Sequence, residues 1–156
     1  MNIFFTDKSP IKSAKYLDTK RVNKMILESC QMLSTAVIQN GGNGIYKSTH
    51  KNHPSTLWAS KSLDNWMWLW NHMIALSLEY KKRRGKIHKS FLSFIKSDIK
   101  QQAMLNIPKK GLTKKPNCAA NQSFNVDYKH IADVYTAYKL YLNDRWDLDK
   151  ITPVWD

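Results

Sequence analysis

The segment "LDTKRVNKMILESCQMLSTAVIQNGG", which begins at Leu17, constrains the fold more than any other part of the chain. Val22, Met25, Ile26, Leu33, Ala36 and Val37 recur at intervals of three and four, the period of a helix with one buried face. Asn40, Gly41 and Gly42 follow, residues that tolerate a left-handed cap. The spacing predicts a helix over about 18–39. An amphipathic helix of this length gains its stability from other elements that cover its apolar stripe.

The rest of the chain supplies such partners. "NIFFT" reads as a short strand or extended arm. Ser9 and Pro10 suit the N-cap and first position of a short helix reaching about residue 17. Pro54 and Ser55 open a second long helical region, with a break near 62–65 where "SLDN" offers a new cap. In it, Leu63, Trp66, Trp70 and Ile74 share one face; Trp68, His72, Ala75, Glu79 and Arg83 share another. Gly85 after "KKRR" is a stop with cations where the helix dipole favours them. Ile87, Phe91, Phe94, Ile95 and Ile99 predict one further helix. Residues 106–126 read as a long basic loop. Asp127 is expected to cap a final helix with Ile131, Val134, Tyr135, Tyr138 and Leu142 inward. From Arg145 the chain reads as an irregular tail whose Trp146 and Trp155 pack back. The expectation is an all-α fold: a single helical domain over 1–156, with about five helices and a short N-terminal extended arm.

At 156 residues a chain buries about 70% of its unfolded surface, so it needs no disulfide framework. Two cysteines, Cys30 and Cys118, suit a reducing compartment. The apolar run "WMWLW" is too short to span a bilayer, and "MNIFFTDKSP" lacks the features of a signal peptide. The expected location is the cytoplasm, that of the host cell if the protein is phage-encoded. Twenty-five Lys and Arg against twelve Asp and Glu give +13, which favours a polyanionic partner, nucleic acid above all. Six Trp and seven Tyr offer stacking surfaces.

Several groups could carry chemistry. Asp18, Lys20, Arg21, Lys24 and Glu28 line up acids and bases on one helix. A carboxylate beside cations keeps its charge and orientation, and an amine beside other cations becomes a better nucleophile. Base excision uses such a set: an amine to attack the sugar C1′, a carboxylate to steady positive charge, and cations to grip phosphate. A solvated amphipathic face has the same pattern. His50 and His53 lie close together in a loop without a metal-binding motif; His53 with Pro54 reads foremost as a helix cap. His72 and Glu79, two turns apart, suit either a pocket or a buried pair. Arg83 and Arg84, and Lys109, Lys110, Lys114 and Lys115, suit phosphate contact or a solvated surface. No cofactor and no metal is called for.

Three stretches together resemble a known family: "MNIFFTDKSPIKSAKYLDTKRVNKMILESCQML", "KNHPSTLW" and "LEYKKRRGKIHK". They are similar to the pyrimidine dimer DNA glycosylase-like family and to related small phage proteins, most strongly over residues 1–90. The resemblance implies a helical domain that binds double-stranded DNA, flips a base, cleaves the glycosidic bond and acts as an AP lyase. It places a catalytic carboxylate at Asp18 shortly before Arg21, in "YLDTKR". Phage members of the family use the amine exposed when the initiator Met is removed. Here the bulky Asn2 disfavours that removal, so the nucleophile would be the Met1 amine or Lys24. The alternative is a non-enzymatic phage or mobile-element protein that binds DNA or a host protein, with Asp18, Arg21, Lys24 and Glu28 as a structural ion-pair network.

Overall fold

A computed structural model describes residues 2–156. Its elements are α1 (Pro10–Tyr16), α2 (Thr19–Gln39), α3 (Pro54–Lys61), α4 (Leu63–Arg84), α5 (Lys89–Ile95), α6 (Ile99–Asn106), a hairpin of β1 (Ala120–Asn121) and β2 (Val126–Asp127), and α7 (Val134–Leu148). The class is helical as expected, but seven α-helices replace about five, and a two-stranded antiparallel sheet is present.

The long helices α2 and α4 pack against each other; α1 lies on α4, and α3 fills the corner between α2 and α4. Trp66, fully buried on α4, donates its indole N–H to the Leu33 carbonyl of α2 at 3.0 Å and stacks on Trp70. The break between α3 and α4 lies where "SLDN" predicts it: the Ser62 hydroxyl accepts from Asn65 N at 3.1 Å. Gly85 ends α4 at φ 71°, a left-handed conformation glycine adopts without a Cβ penalty.

The N-terminal segment is an extended arm and not a strand. A side chain satisfies two of its backbone groups: Ser13 Oγ donates to the Phe4 carbonyl at 3.0 Å and accepts from Thr6 N at 3.1 Å. Phe4 and Phe5 pack on Tyr138 of α7, and Phe5 also meets Trp58 and Trp68. The arm thereby joins α7 to the α3–α4 layer.

Three boundaries differ from expectation. The helix predicted around Phe91 divides into α5 and α6, because Ser97 Oγ bonds the Phe94 carbonyl at 2.6 Å and competes with helix continuation. The last helix starts at Val134 under an Asp133 cap, not after Asp127. Asp127 instead accepts from Lys129 N, and the Asn117 amide holds the carbonyls of Tyr128 and Ile131 around a turn closed by the bond from Ile131 N to the Tyr128 carbonyl, which delays the helix. In the other direction α7 continues through Leu148, so Arg145 and Trp146 are helical.

The long loop is held closely to the body. Its Pro108 and Lys110 carbonyls accept the first N–H groups of α4, Leu63 and Asp64, which no intrahelical acceptor can reach. Among the described residues, no helix is long and apolar enough to cross a membrane.

Candidate nucleotide pocket on helix α2

The stripe on α2 forms one wall of a cavity of about 370 Å³. Lys20, Arg21, Lys24, Met25 and Glu28 follow the helical repeat and line it. Tyr141 and Arg145, one turn apart on α7, face them across the cavity. Asn2 and Phe4 of the arm, His53 before α3, and Cys118, Ala120 and Asn121 beside the hairpin complete it. Four cations and one carboxylate among these side chains give it a positive balance.

Arg21 is 8% exposed. It donates to Asp149 at 2.8 Å and to Asp18 at 3.2 Å. Burial works against its charge, but the hydrogen bond to Asp149 and the charges of both carboxylates outweigh burial and hold the guanidinium protonated. Asp149 also meets Arg145 at 3.6 Å, so one carboxylate serves two cavity cations. Burial alone would raise the Asp149 carboxyl; Arg21 and then Arg145 overcome it and hold the carboxyl below its usual value. Arg145 itself donates to the Tyr141 hydroxyl at 3.0 Å.

Asp18 stands behind this wall. It is 1% exposed, and one carboxylate oxygen accepts from Trp146 Nε1 at 2.8 Å and from Arg21. It occupies the N-cap position of α2 without a side-chain capping bond. The capping acceptor comes from the tail: the Val154 carbonyl takes Thr19 N–H at 2.7 Å. Glu28 lines the cavity with its side chain 17% exposed, 4.0 Å from the largely exposed Lys24 ammonium. The Met1 amine lies outside the described residues.

The two loop histidines differ. His53 caps α3 by accepting from Ser55 N at 3.1 Å through Nδ1, and it lines the cavity. That bond selects the tautomer with its proton on Nε2, and burial lowers the ring's pKa. His50 is exposed at φ 49° and is not part of the lining.

The other candidates sit elsewhere. His72 is buried, stacks on Trp68 and bonds the Pro10 carbonyl at 3.0 Å. Glu79 pairs with Arg83 at 3.2 Å, and Arg83 also donates to the Leu17 carbonyl at 2.7 Å. With its side chain 5% exposed, Arg83 clamps α4 to the α1–α2 corner, whereas Arg84 is exposed. Lys109, Lys110 and Lys114 are exposed. Lys115 is buried among Trp68, Tyr135 and Phe5 and donates to the Tyr135 hydroxyl; burial, then Lys8, lowers its pKa. Both cysteines are free thiols.

Sequence reasoning missed Arg145, Tyr141, Asn121 and Asp149. The "Y…R" spacing of Tyr141 and Arg145 is a readable signal once α7 is known to run through both. Reading "RWDLD" as irregular concealed it.

A family model described as pyrimidine dimer DNA glycosylase matches residues 1–93, three fifths of the chain. The chain belongs to this family. The matched part holds the arm, α1 to α4 and the α2 wall of the cavity. The hairpin and α7, which bring Asn121, Tyr141 and Arg145, lie beyond it. Comparison with curated proteins and with solved structures found no match.

Proposed function

We propose that the protein is a DNA glycosylase that takes a damaged or modified base out of the duplex into the α2 cavity and then cleaves the strand as an AP lyase. The observation that carries this reading is the cavity of about 370 Å³ with Glu28, Lys24 and arginines on its walls, in a chain of a glycosylase family. Its size falls in the range of about 300–1,000 Å³ typical of small-ligand pockets.

Glu28 is the carboxylate that faces the sugar. Its negative charge stabilises the positive charge that develops at C1′ as the glycosidic bond breaks. An amine, Lys24 or the Met1 amine, attacks C1′ while the base leaves with the bonding pair and takes up a proton. Loss of the ring oxygen as a hydroxyl gives an imine between amine and C1′. Removal of a C2′ proton then expels the 3′ phosphate, and hydrolysis of the imine frees the amine. Lys20, Arg21 and Arg145 grip the flanking phosphates. The Nε2–H of His53 donates to sugar or base. Asp18 acts through Arg21 and Trp146, as a positioning residue.

Borohydride trapping tests this reading. A duplex with an abasic site, incubated with protein and borohydride, is expected to give a covalent adduct whose peptide contains Lys24 or the N-terminus. No adduct on abasic DNA, and no base release from UV-irradiated duplex, overturns it. The non-enzymatic alternative draws support from the Asp18–Arg21–Asp149–Arg145 network, which fastens α7 to α2. DNA binding without an adduct would favour that alternative.

A further inference from the structure

The hairpin after the long loop has an uncommon tip. Between β1 and β2 the residues Gln122, Ser123, Phe124 and Asn125 are all exposed. Phe124 is 40% exposed, whereas its near neighbour Val126 is 7% exposed and joins the core. Burial of Phe124 in the core is therefore not what the hairpin is built for.

The tip is held in shape. Asn125 takes φ 53°, a left-handed turn that Asn tolerates better than most residues, and Asn121 Oδ1 accepts from Ser123 N at 3.0 Å. Below it, Tyr128 donates to Asp144 of α7 at 2.5 Å, and the Asn117 amide bonds the Tyr128 carbonyl at 3.1 Å. A ring on such a base can push without the base yielding.

The tip also stands at the cavity. It reaches the cavity through its strand and through Arg145: Ala120 and Asn121 of β1 line the cavity, and the Phe124 ring centre lies 4.1 Å from the guanidinium of Arg145, which lines it too. We propose that this hairpin is a duplex-opening wedge, in which Phe124 enters the base stack as a nucleotide leaves it for the α2 cavity. The inference rests on the glycosylase reading. A flipped nucleotide leaves unstacked neighbours, and an aromatic ring restores stacking to them. Apolar side chains inserted between base steps are a general means of opening and kinking a duplex. Arg145 beside the ring holds the phosphate of the displaced nucleotide, so wedge and grip act at one step. The surroundings favour nucleic acid over a protein partner: the ring is flanked in sequence by the exposed polar residues Gln122, Ser123 and Asn125.

The test uses the full chain as parent, Phe124→Ala and Phe124→Trp, with melting temperatures as a folding control. Two DNAs of one sequence carry a thymine cyclobutane dimer, one in a paired duplex and one in a bulge where the dimer is already unstacked; 2-aminopurine sits next to it. The parent is expected to raise 2-aminopurine fluorescence on the paired duplex. Phe124→Ala is expected to lower affinity and excision there by about tenfold, the scale of one lost base–ring stack. Its deficit shrinks on the bulge, and Phe124→Trp restores the paired duplex. If Phe124→Ala matches the parent on the paired duplex, or is equally impaired on both DNAs, the wedge is overturned while the glycosylase reading stands. If the parent excises from neither DNA and forms no adduct with abasic DNA, the glycosylase reading fails, and the wedge with it.

Discussion

Arg21 and Asp149 lie 128 positions apart in sequence and meet at 2.8 Å, with both side chains under a tenth exposed. This pair joins the first turn of α2 to the end of α7 and closes the cavity between them. It makes the pocket a product of both ends of the chain. Asp149→Asn should lower stability by about 2 to 3 kcal/mol, since an arginine is left partly uncompensated. The Asp149 carboxyl is held low when folded, so its contribution is present above the unfolded value near pH 4 and fades as pH falls through the folded value. Denaturant titrations at pH 7 and in acid check this: the parent should lose more of its stability below about pH 4 than Asp149→Asn does.

Glu28→Gln should remove base excision while leaving folding and DNA affinity close to the parent's. One oriented charge on a developing cation is worth about 3 kcal/mol, roughly a hundredfold in rate. Asp18→Ala should act on stability instead, by about 2 kcal/mol, because the bonds to Trp146 and Arg21 go with it. Single-turnover excision measured beside melting temperature separates the two. Equal rates for Glu28→Gln and parent would remove Glu28 from the chemistry.

DNA affinity should fall steeply with salt. Each phosphate contact contributes about 0.9 to the slope of log affinity against log salt. Replacing Lys20 by Ala should reduce that slope by about 0.9, one phosphate contact. Fluorescence anisotropy from 50 to 200 mM salt reads it out. A salt-independent affinity would remove the phosphate contacts from the account.

His72 should make the protein acid-sensitive. Burial lowers its pKa to about 4, with the Pro10 hydrogen bond acting the other way. The unfolded ring takes up a proton near pH 6.5 and the folded ring does not, so stability falls as pH drops from 6.5 towards 4. The loss between pH 7 and pH 5 should be about 2 kcal/mol. His72→Gln, which can still donate to the Pro10 carbonyl, should flatten that part of the profile in urea melts.

Arg83→Ala should cost about 3 kcal/mol, because Glu79 is left without its partner and the Leu17 and Lys15 carbonyls without their donor. Arg84→Ala, on an exposed side chain, should change stability by less than about 0.5 kcal/mol. Thermal melts of the two variants compare them directly.

The amino-acid sequence by itself determined the long helices and much of one wall of the site. A period of three and four residues over α2 leaves few backbone solutions, and that same period puts Lys20, Arg21, Lys24 and Glu28 on one face. Caps such as Ser9–Pro10, His53–Pro54, Ser62 and Gly85 act within a few residues, so their effects are readable locally. Contacts between distant segments decided the rest. Asp18 looked like an open carboxylate until Trp146 and Arg21 covered it, and Arg83 looked like a surface cation until the α1–α2 corner enclosed it. Lys115 sat in a basic run and proved to lie among three aromatic rings. The division of α5 from α6 and the late start of α7 came from Ser97 and Asn117, single polar side chains that outcompeted helix propensity. A local pattern specifies which face a residue occupies along its own helix. What lies against that face depends on the packing of elements more than a hundred residues apart, and only the folded chain settles it.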